Sequence, residues 1–171
     1  MPWDGVAAGE LLVRGHSVVN HYYGDAGESA FSVDALGRRW FATGDVAKIS
    51  PQGVMQICDR TKDVIKSGGE WISSIELENI AMSHPSILEA AVIAMPHARW
   101  GERPLLLAVE RPGVEVSREA LLEFYQARSA KMYSPDDVVF VTELPHGATG
   151  KIQKSVLREQ YKHHTVAAHK H

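Results

Sequence analysis

The stretch DRTKDVIKSGGEWISSIELEN, Asp59 to Asn79, decides how this chain is organised. Before it lie short apolar runs set between glycines and prolines; after it, helical and strand-like patterns alternate. GELLVRG (Gly9–Gly15), RRWFATGD (Arg38–Asp45) and GVMQICDR (Gly53–Arg60) have strand length and composition, and Ser50-Pro51-Gln52-Gly53 reads as the turn joining the last two. Residues 1–58 are therefore expected to be strands and loops with little helix, the β-rich trailing edge of a larger domain. The alternating charges Asp59-Arg60-Thr61-Lys62-Asp63 sit where the pattern changes. A charge run is ordinarily a solvated linker. At such a boundary it equally suits a hinge, a few residues that absorb a large backbone rotation. The hinge is expected at 59–62.

Beyond the hinge, KDVIKSGGEWISS suggests two short strands around Gly68-Gly69. Ser73-Ser74-Ile75-Glu76 has capping-box spacing and opens a helix through Met82, which stops before His84-Pro85. ILEAAVIAMP and RPLLLAVERP are apolar runs of strand length. Ser117 is a fitting N-cap for SREALLEFYQARSA, where Leu121, Leu122 and Tyr125 recur at helical spacing. VVFVTELP predicts a strand, and Ile152 to Lys162 a last helix with Val156, Leu157 and Tyr161 facing inward. The prediction is a small α+β domain over 63–162, with a mixed sheet and three helices, followed by a flexible polar tail at 163–171.

Composition narrows the function classes. The 171 residues are 44% hydrophobic and 23% charged, a soluble globular balance with room for one full core or two small ones. A net charge of −3 provides no electrostatic footprint for nucleic acid or an anionic membrane, so phosphate recognition, if present, must be local. The single cysteine, Cys58, leaves no internal disulfide and fits a reducing compartment. No apolar stretch approaches a membrane span, and the first residues are not a signal peptide. A cytoplasmic protein without an integral membrane span is expected.

Four local patterns carry candidate chemistry. In ELPHGATGKIQKSVLREQY (Glu143–Tyr161), a glycine turn precedes Lys151, a way of aiming a cation at a phosphate. It is not a Walker loop: Pro145 replaces the first glycine and Ile152 the hydroxyl residue. No G-x-S-x-G elbow is present for a hydrolase triad. In Lys66-Ser67-Gly68-Gly69-Glu70-Trp71 the glycines suit a hairpin turn, or backbone past which a narrow ligand slides. In Thr43-Gly44-Asp45 the carboxylate suits a turn cap or an acceptor for two vicinal hydroxyls, as in ribose. His163, His164, His169 and His171 lack the spacing of a structural zinc site, and no metal site is expected.

Taken in order, WFATGD, DRTKDVIKSGGEWISSIELEN, ERPLLLAV and LPHGATGKIQKSVLRE closely resemble the C-terminal part of acyl-adenylate-forming enzymes, and most of all the medium- and long-chain fatty acyl-CoA ligases. The resemblance runs from GELLVRG to REQYK. It implies a small mobile C-terminal domain behind a β-rich remnant of an N-terminal AMP-binding domain. It also implies a two-step reaction, in which a carboxylic acid and Mg-ATP form acyl-AMP and coenzyme A then takes the acyl group. Lys151 matches the adenylation lysine and Lys62 the hinge. Asp45 would hold the ribose hydroxyls, with Arg60 near ribose and phosphate. Gly68 and Gly69 would line the pantetheine passage, and Lys66, Glu70 and Trp71 would lie near the nucleotide or the domain interface.

Two departures stand out. His146-Gly147 replaces the Arg-Thr or similar pair usual in relatives, which is expected to loosen the turn before Lys151. Residues Lys131 to Pro135 depart from the usual apolar-aromatic run. The phosphate loop, adenine segment, acidic magnesium ligand and acyl pocket precede these motifs in the family and are absent from this sequence. A fragment is therefore expected, inactive alone and dependent on its N-terminal domain. Aryl or short-chain acid ligases are the alternative, as is a stand-alone module that pairs with a separate adenylating subunit.

Overall fold

The computed structural model describes residues 2–23 and 27–164. The chain divides between Lys62 and Asp63 into two units. The first holds β1 (Ala8–Val13), β2 (Phe31–Val33), β3 (Arg39–Ile49) and β4 (Met55–Arg60). β3 is the spine, antiparallel to the other three. Phe41 pairs with Val13 on one side and Phe31 on the other, so β1 lines one edge of β3 while β2 and β4 share the opposite edge. Ser50-Pro51-Gln52-Gly53 forms the expected β3–β4 turn, with the Gly53 amide donating to Ser50 O at 2.9 Å. β2 escapes a reading of the sequence because three residues are too few for alternation to register. β4 runs through Arg60, so Asp59 and Arg60 are strand residues, and Asp59 is buried rather than solvated.

The second unit runs β5 (Ile65–Ser67), β6 (Glu70–Ile72), α1 (Ser74–Met82), β7 (Ile87–His97), β8 (Gly101–Glu110), α2 (Arg118–Gln126), β9 (Asp137–Phe140) and α3 (Lys154–Gln160). Its sheet is ordered β6-β5-β8-β7, with β9 parallel to β8 and the other pairings antiparallel. This is the expected α+β unit with a mixed sheet and three helices. Ser73 and Ser117 cap α1 and α2, accepting the Glu76 and Ala120 amides at 3.1 Å each.

β7 and β8 set the layering, because both are apolar without alternation and need cover on both faces. Ala90, Val92, Leu106 and Ala108 pack with Leu77 and Ala81 of α1 and Leu121 and Tyr125 of α2. Ala91, Ile93, Met95, Leu105 and Leu107 pack on the other face with Leu144 and with Leu157 of α3. Each large side chain so buried contributes roughly 1.5–3 kcal/mol. The Tyr125 hydroxyl donates to Leu77 O at 2.6 Å and ties α2 to α1. Burial, helped by the Glu78 charge, raises its pKa and keeps it a donor.

The last helix is shorter than the expected 152–162. Ile152 makes an isolated bridge with His146, and the Gln153 amide donates to Pro145 O at 2.8 Å, so the helix cannot begin until Lys154. Leu157 points inward and Tyr161, just past the helix, is partly buried; Val156 is instead 37% exposed. Of the tail, residues 165–171, with His169 and His171, lie outside the described residues. His164 is engaged, its Nε2 lying 2.9 Å from Asp137 Oδ2. Among the described residues no helix is long and apolar enough to cross a membrane.

Two ionic groups brace the sheet. Arg103, buried on β8, binds Asp136 Oδ1 through Nε at 2.8 Å and Nη2 at 2.6 Å. It also donates to Ser67 Oγ, Met132 O and Ser134 O, joining β5, β8 and the loop before β9. The second group is Asp137, which receives Arg118 and His164. Burial opposes its ionisation, yet hydrogen bonds from Arg118, His164 and the Val138 amide prevail and hold its carboxyl below the usual range.

Removing Arg103 strands part of this polar set. Arg103→Met should lower the unfolding free energy by about 3 kcal/mol, near the lower end for breaking a buried pair, read as a shift of the urea midpoint; a loss under about 1 kcal/mol, no more than an exposed pair contributes, would show the hub to be dispensable. For Asp137, a depressed folded pKa means stability present above the ordinary carboxylate value and lost as pH falls through the folded one. Asp137→Asn should therefore cost stability at neutral pH, and its gap to the wild type should close below about pH 4. A gap that stays constant as pH falls well below that value would contradict the assignment.

Candidate functional site

The candidate residues fall into three local assemblies, one in the first unit and two in the second. In the first unit, between the pairs Glu10–Val46 and Leu12–Ala42, the single β1 residue Leu11 stands opposite three of β3, so Thr43-Gly44-Asp45 bulges out of the ladder. Thr43 Oγ1 fixes the bulge by donating to Leu11 O and accepting from the Asp45 amide, both at 3.1 Å. The bulge turns Asp45 toward Arg60, its cross-strand partner on β4. Arg60 Nε lies 3.0 Å from Asp45 Oδ1 and donates to Gly44 O at 3.1 Å. The result is an accessible carboxylate, its side chain 25% exposed, oriented by a guanidinium. Such a pair presents oxygen acceptors beside a cation, which suits a diol next to a phosphate.

Lys62, an exposed turn residue, is the last of the first unit. Immediately after it, the β5–β6 hairpin gathers Lys66, Gly68, Gly69, Glu70 and Trp71. Lys66 is paired across the hairpin with Trp71, and its Nζ sits 5.7 Å from that ring. Its amide donates to Glu102 Oε2 at 2.7 Å. Gly68 and Gly69 form the two-residue turn, with φ of 60° and 91°. Conformation is only half of what Gly68 supplies: a Cβ there would stand 2.8 Å from Trp100 Cε3. The Gly68 amide also donates to Trp100 O at 2.8 Å, so the β7–β8 turn lies directly against the glycine.

Lys151 stands in a third place, the loop between β9 and α3. It is exposed, three residues short of the helix rather than at its mouth. The loop is closed, not loosened by His146-Gly147. The Gly147 amide donates to Lys151 O and the Gly150 amide to Gly147 O, both at 2.9 Å, inside the His146–Ile152 bridge. Gly147 itself packs against Gln153, where a Cβ would meet Nε2 at 3.3 Å. The pair that departs from the family pattern thus makes a compact turn of its own.

Reading the sequence assigned no role to Trp100, Glu102 and Arg103, three partners of the β5–β6 hairpin within RWGER, although Glu102 and Arg103 open the motif ERPLLLAV. No local pattern assigns them that role, because the hairpin they meet lies more than 30 positions earlier in the chain. The departing segment Lys131 to Pro135 also has a role, since its Met132 and Ser134 carbonyls receive Arg103. Among the described residues no three His, Cys, Asp or Glu side chains gather as a metal site.

Residues 76–151 match the AMP-binding enzyme C-terminal domain. The chain is 52% identical over 162 residues to a 3-methylmercaptopropionyl-CoA ligase of Ruegeria lacuscaerulensis, covering 95% of this chain and 29% of that protein. It is 49% identical to a medium-chain-fatty-acid–CoA ligase of Ectopseudomonas oleovorans, over 94% of this chain and 29% of that one. Residues 76–151 thus carry the C-terminal domain of the AMP-binding enzymes, and nearly the whole chain is similar to a part of acyl-CoA ligases. The crystal structure of ATP-bound MatB from Rhodopseudomonas palustris superposes with a TM-score of 0.78 at 33% identity, over 92% of this chain and 31% of that chain. The chain therefore spans about three tenths of the length of these family members.

If Trp100 is what excludes a side chain at Gly68, the two positions are coupled. Gly68→Ala should destabilise by about 1–3 kcal/mol through strain and displacement of the ring. In a double-mutant cycle with Trp100→Ala, roughly 0.5 kcal/mol or more of that cost should disappear. Strict additivity in urea unfolding would mean the ring yields freely and only the backbone angle matters.

Proposed function

We propose that the chain is the C-terminal portion of an ATP-dependent acid–thiol ligase of the fatty acyl-CoA synthetase kind. The observation that carries this reading is Lys151, an exposed ammonium on a closed loop at the last residue of the matched segment. In the first half-reaction a carboxylate oxygen attacks the α-phosphorus of ATP, and the bond to pyrophosphate breaks. Two anions converge in that step. A compact ammonium between them stabilises the transition state more than the separated reactants. In the second half-reaction the coenzyme A thiol gives up its proton, its sulfur attacks the acyl carbonyl, and AMP leaves. No charge of the first kind accumulates then, so Lys151 is needed only once.

The other residues take roles around the same nucleotide. Asp45 accepts hydrogen bonds from the two ribose hydroxyls, while Arg60 orients that carboxylate and faces the phosphate. Lys62 is the pivot, at the point where the chain passes from one unit to the other. Gly68 and Gly69 leave room for the pantetheine arm, and Lys66, Glu70 and Trp71 line the nucleotide or the face toward the N-terminal domain. That domain supplies the acid pocket and the magnesium site, and the 171 residues alone do not ligate. The substrate proposed is an aliphatic acid, following the methylmercaptopropionyl and medium-chain names of the relatives.

The half-reactions separate these roles in the complete ligase. Lys151→Ala should slow acyl-AMP formation roughly 100- to 1000-fold while sparing thioester formation from supplied acyl-AMP. Lys151→Arg should rescue little, since a planar fork does not fit the place of a compact ammonium. Single-turnover assays of both steps decide it: equal loss in each makes Lys151 structural, and no loss makes it a solvated charge. Lys62→Pro, which locks φ near −65°, should leave acyl-AMP formation in place and slow its conversion to thioester; wild-type rates for both would remove the pivot.

A further inference from the structure

α3 is only seven residues long, and its N-cap Gln153 makes no side-chain capping bond, so its own local structure gives the preceding loop little support. What fixes it lies elsewhere in the unit. Lys154 Nζ is 2.6 Å from Glu78 Oε1 and 2.7 Å from Ser74 Oγ, both on α1. The pair is largely buried, with side chains 13% and 17% exposed. The same Glu78 oxygen accepts the Val92 amide of β7 at 2.8 Å. One carboxylate oxygen thus joins α1, β7 and the start of α3. One turn further on, Arg158 Nη1 is 2.7 Å from Asp63 Oδ1. Lys154 and Arg158 are four apart and share a helix face, while Leu157 beside them is buried against the sheet.

Asp63 is the first residue of the second unit and follows Lys62 directly. α3 is therefore held at one end to the core through Lys154 and Glu78, and at the other to the residue next to the unit boundary. The loop bearing Lys151 projects from the first of these ends. On its other stem, His146 Nε2 lies 3.4 Å from Glu89 Oε1 of β7.

We propose that α3 is a strut which fixes Lys151 relative to the pivot, with the Lys154–Glu78 and Arg158–Asp63 pairs as positioning residues for the adenylation step. The proposal rests on the reading of Lys151 as the adenylation lysine. Neither pair touches a substrate. Their effect is to make the ammonium move as one body with Asp63, so that a rotation at Lys62 carries Lys151 through a defined arc. Lateral play in the loop would misplace the ammonium, and a displacement of about 1 Å is enough to cost on the order of 100-fold in rate.

The test is made in the complete ligase with Lys154→Met, Lys154→Arg, Arg158→Met and Arg158→Lys. Hydrogen exchange over residues 147–153 reads the loop directly, and single-turnover assays read the two half-reactions. Either Met variant should raise exchange across 147–153 and slow adenylation roughly tenfold or more, with thioester formation from supplied acyl-AMP within about twofold. Lys154→Arg and Arg158→Lys, which keep the charge, should recover much of the loss. Unchanged exchange, or equal losses in both half-reactions, would overturn the strut. If a Met variant fails to fold, the charge-keeping variants still decide: either the loop and the adenylation rate track each other, or the proposal fails. Should Lys154→Met loosen the loop while Lys151→Ala leaves adenylation intact, the strut stands and the catalytic reading of Lys151 falls.

Discussion

Everything in the second unit follows from two adjacent strands that are buried on both faces. β7 and β8 have no polar side, so water must be kept from both surfaces, and a sheet alone cannot do that. α1 and α2 close one face through Leu77, Leu121 and Tyr125, and α3 with Leu144 closes the other. This two-sided demand makes α3 a structural requirement before it has any functional meaning. A short helix with no capping side chain is retained because Leu157 is needed on the sheet. The loop that must lead into that helix is the one that presents Lys151.

The same burial explains the polar hubs. A charged group in such a setting must find partners for its donors or acceptors, because an unsatisfied one costs several kcal/mol. Arg103 meets this by spending its guanidinium on Asp136, Ser67 and two carbonyls, and in doing so fastens the glycine hairpin to the loop before β9. Glu78 meets it with Lys154 and the Val92 amide. The placement of the hairpin and of α3 is thus a by-product of satisfying buried polar groups. In the first unit the comparable device is a bulge: an interruption in the β1–β3 ladder, closed by Thr43, turns Asp45 to Arg60.

Much of this could be read directly from the residues. The unbroken apolar runs around Val92 and Leu106 announced buried strands, because only a doubly covered strand tolerates apolar side chains on both faces. Ser73 and Ser117 marked helix starts through a hydrogen bond made within three residues. Gly68-Gly69 marked a hairpin because two successive positive φ angles are easy only for glycine. These are local effects, and local effects are written in local sequence. Val156 misled for the converse reason: its apolar character fits an inward position, but the register of α3 is set by the His146–Ile152 bridge before it, which no pattern within the helix records.

The amino-acid sequence by itself determined the two-part organisation, the α+β class of the second part, the family resemblance, and the set of residues worth testing, since each depends on composition, period or motif order. Only the tertiary structure decided how those residues are held. It closed the loop that His146-Gly147 seemed to loosen, set Trp100 against Gly68, aimed Arg60 at Asp45, and linked Asp63 to Arg158 across 95 positions of chain. The reason is one of distance: such partners are remote in sequence, and their meeting is fixed by which faces of β7 and β8 each element must cover.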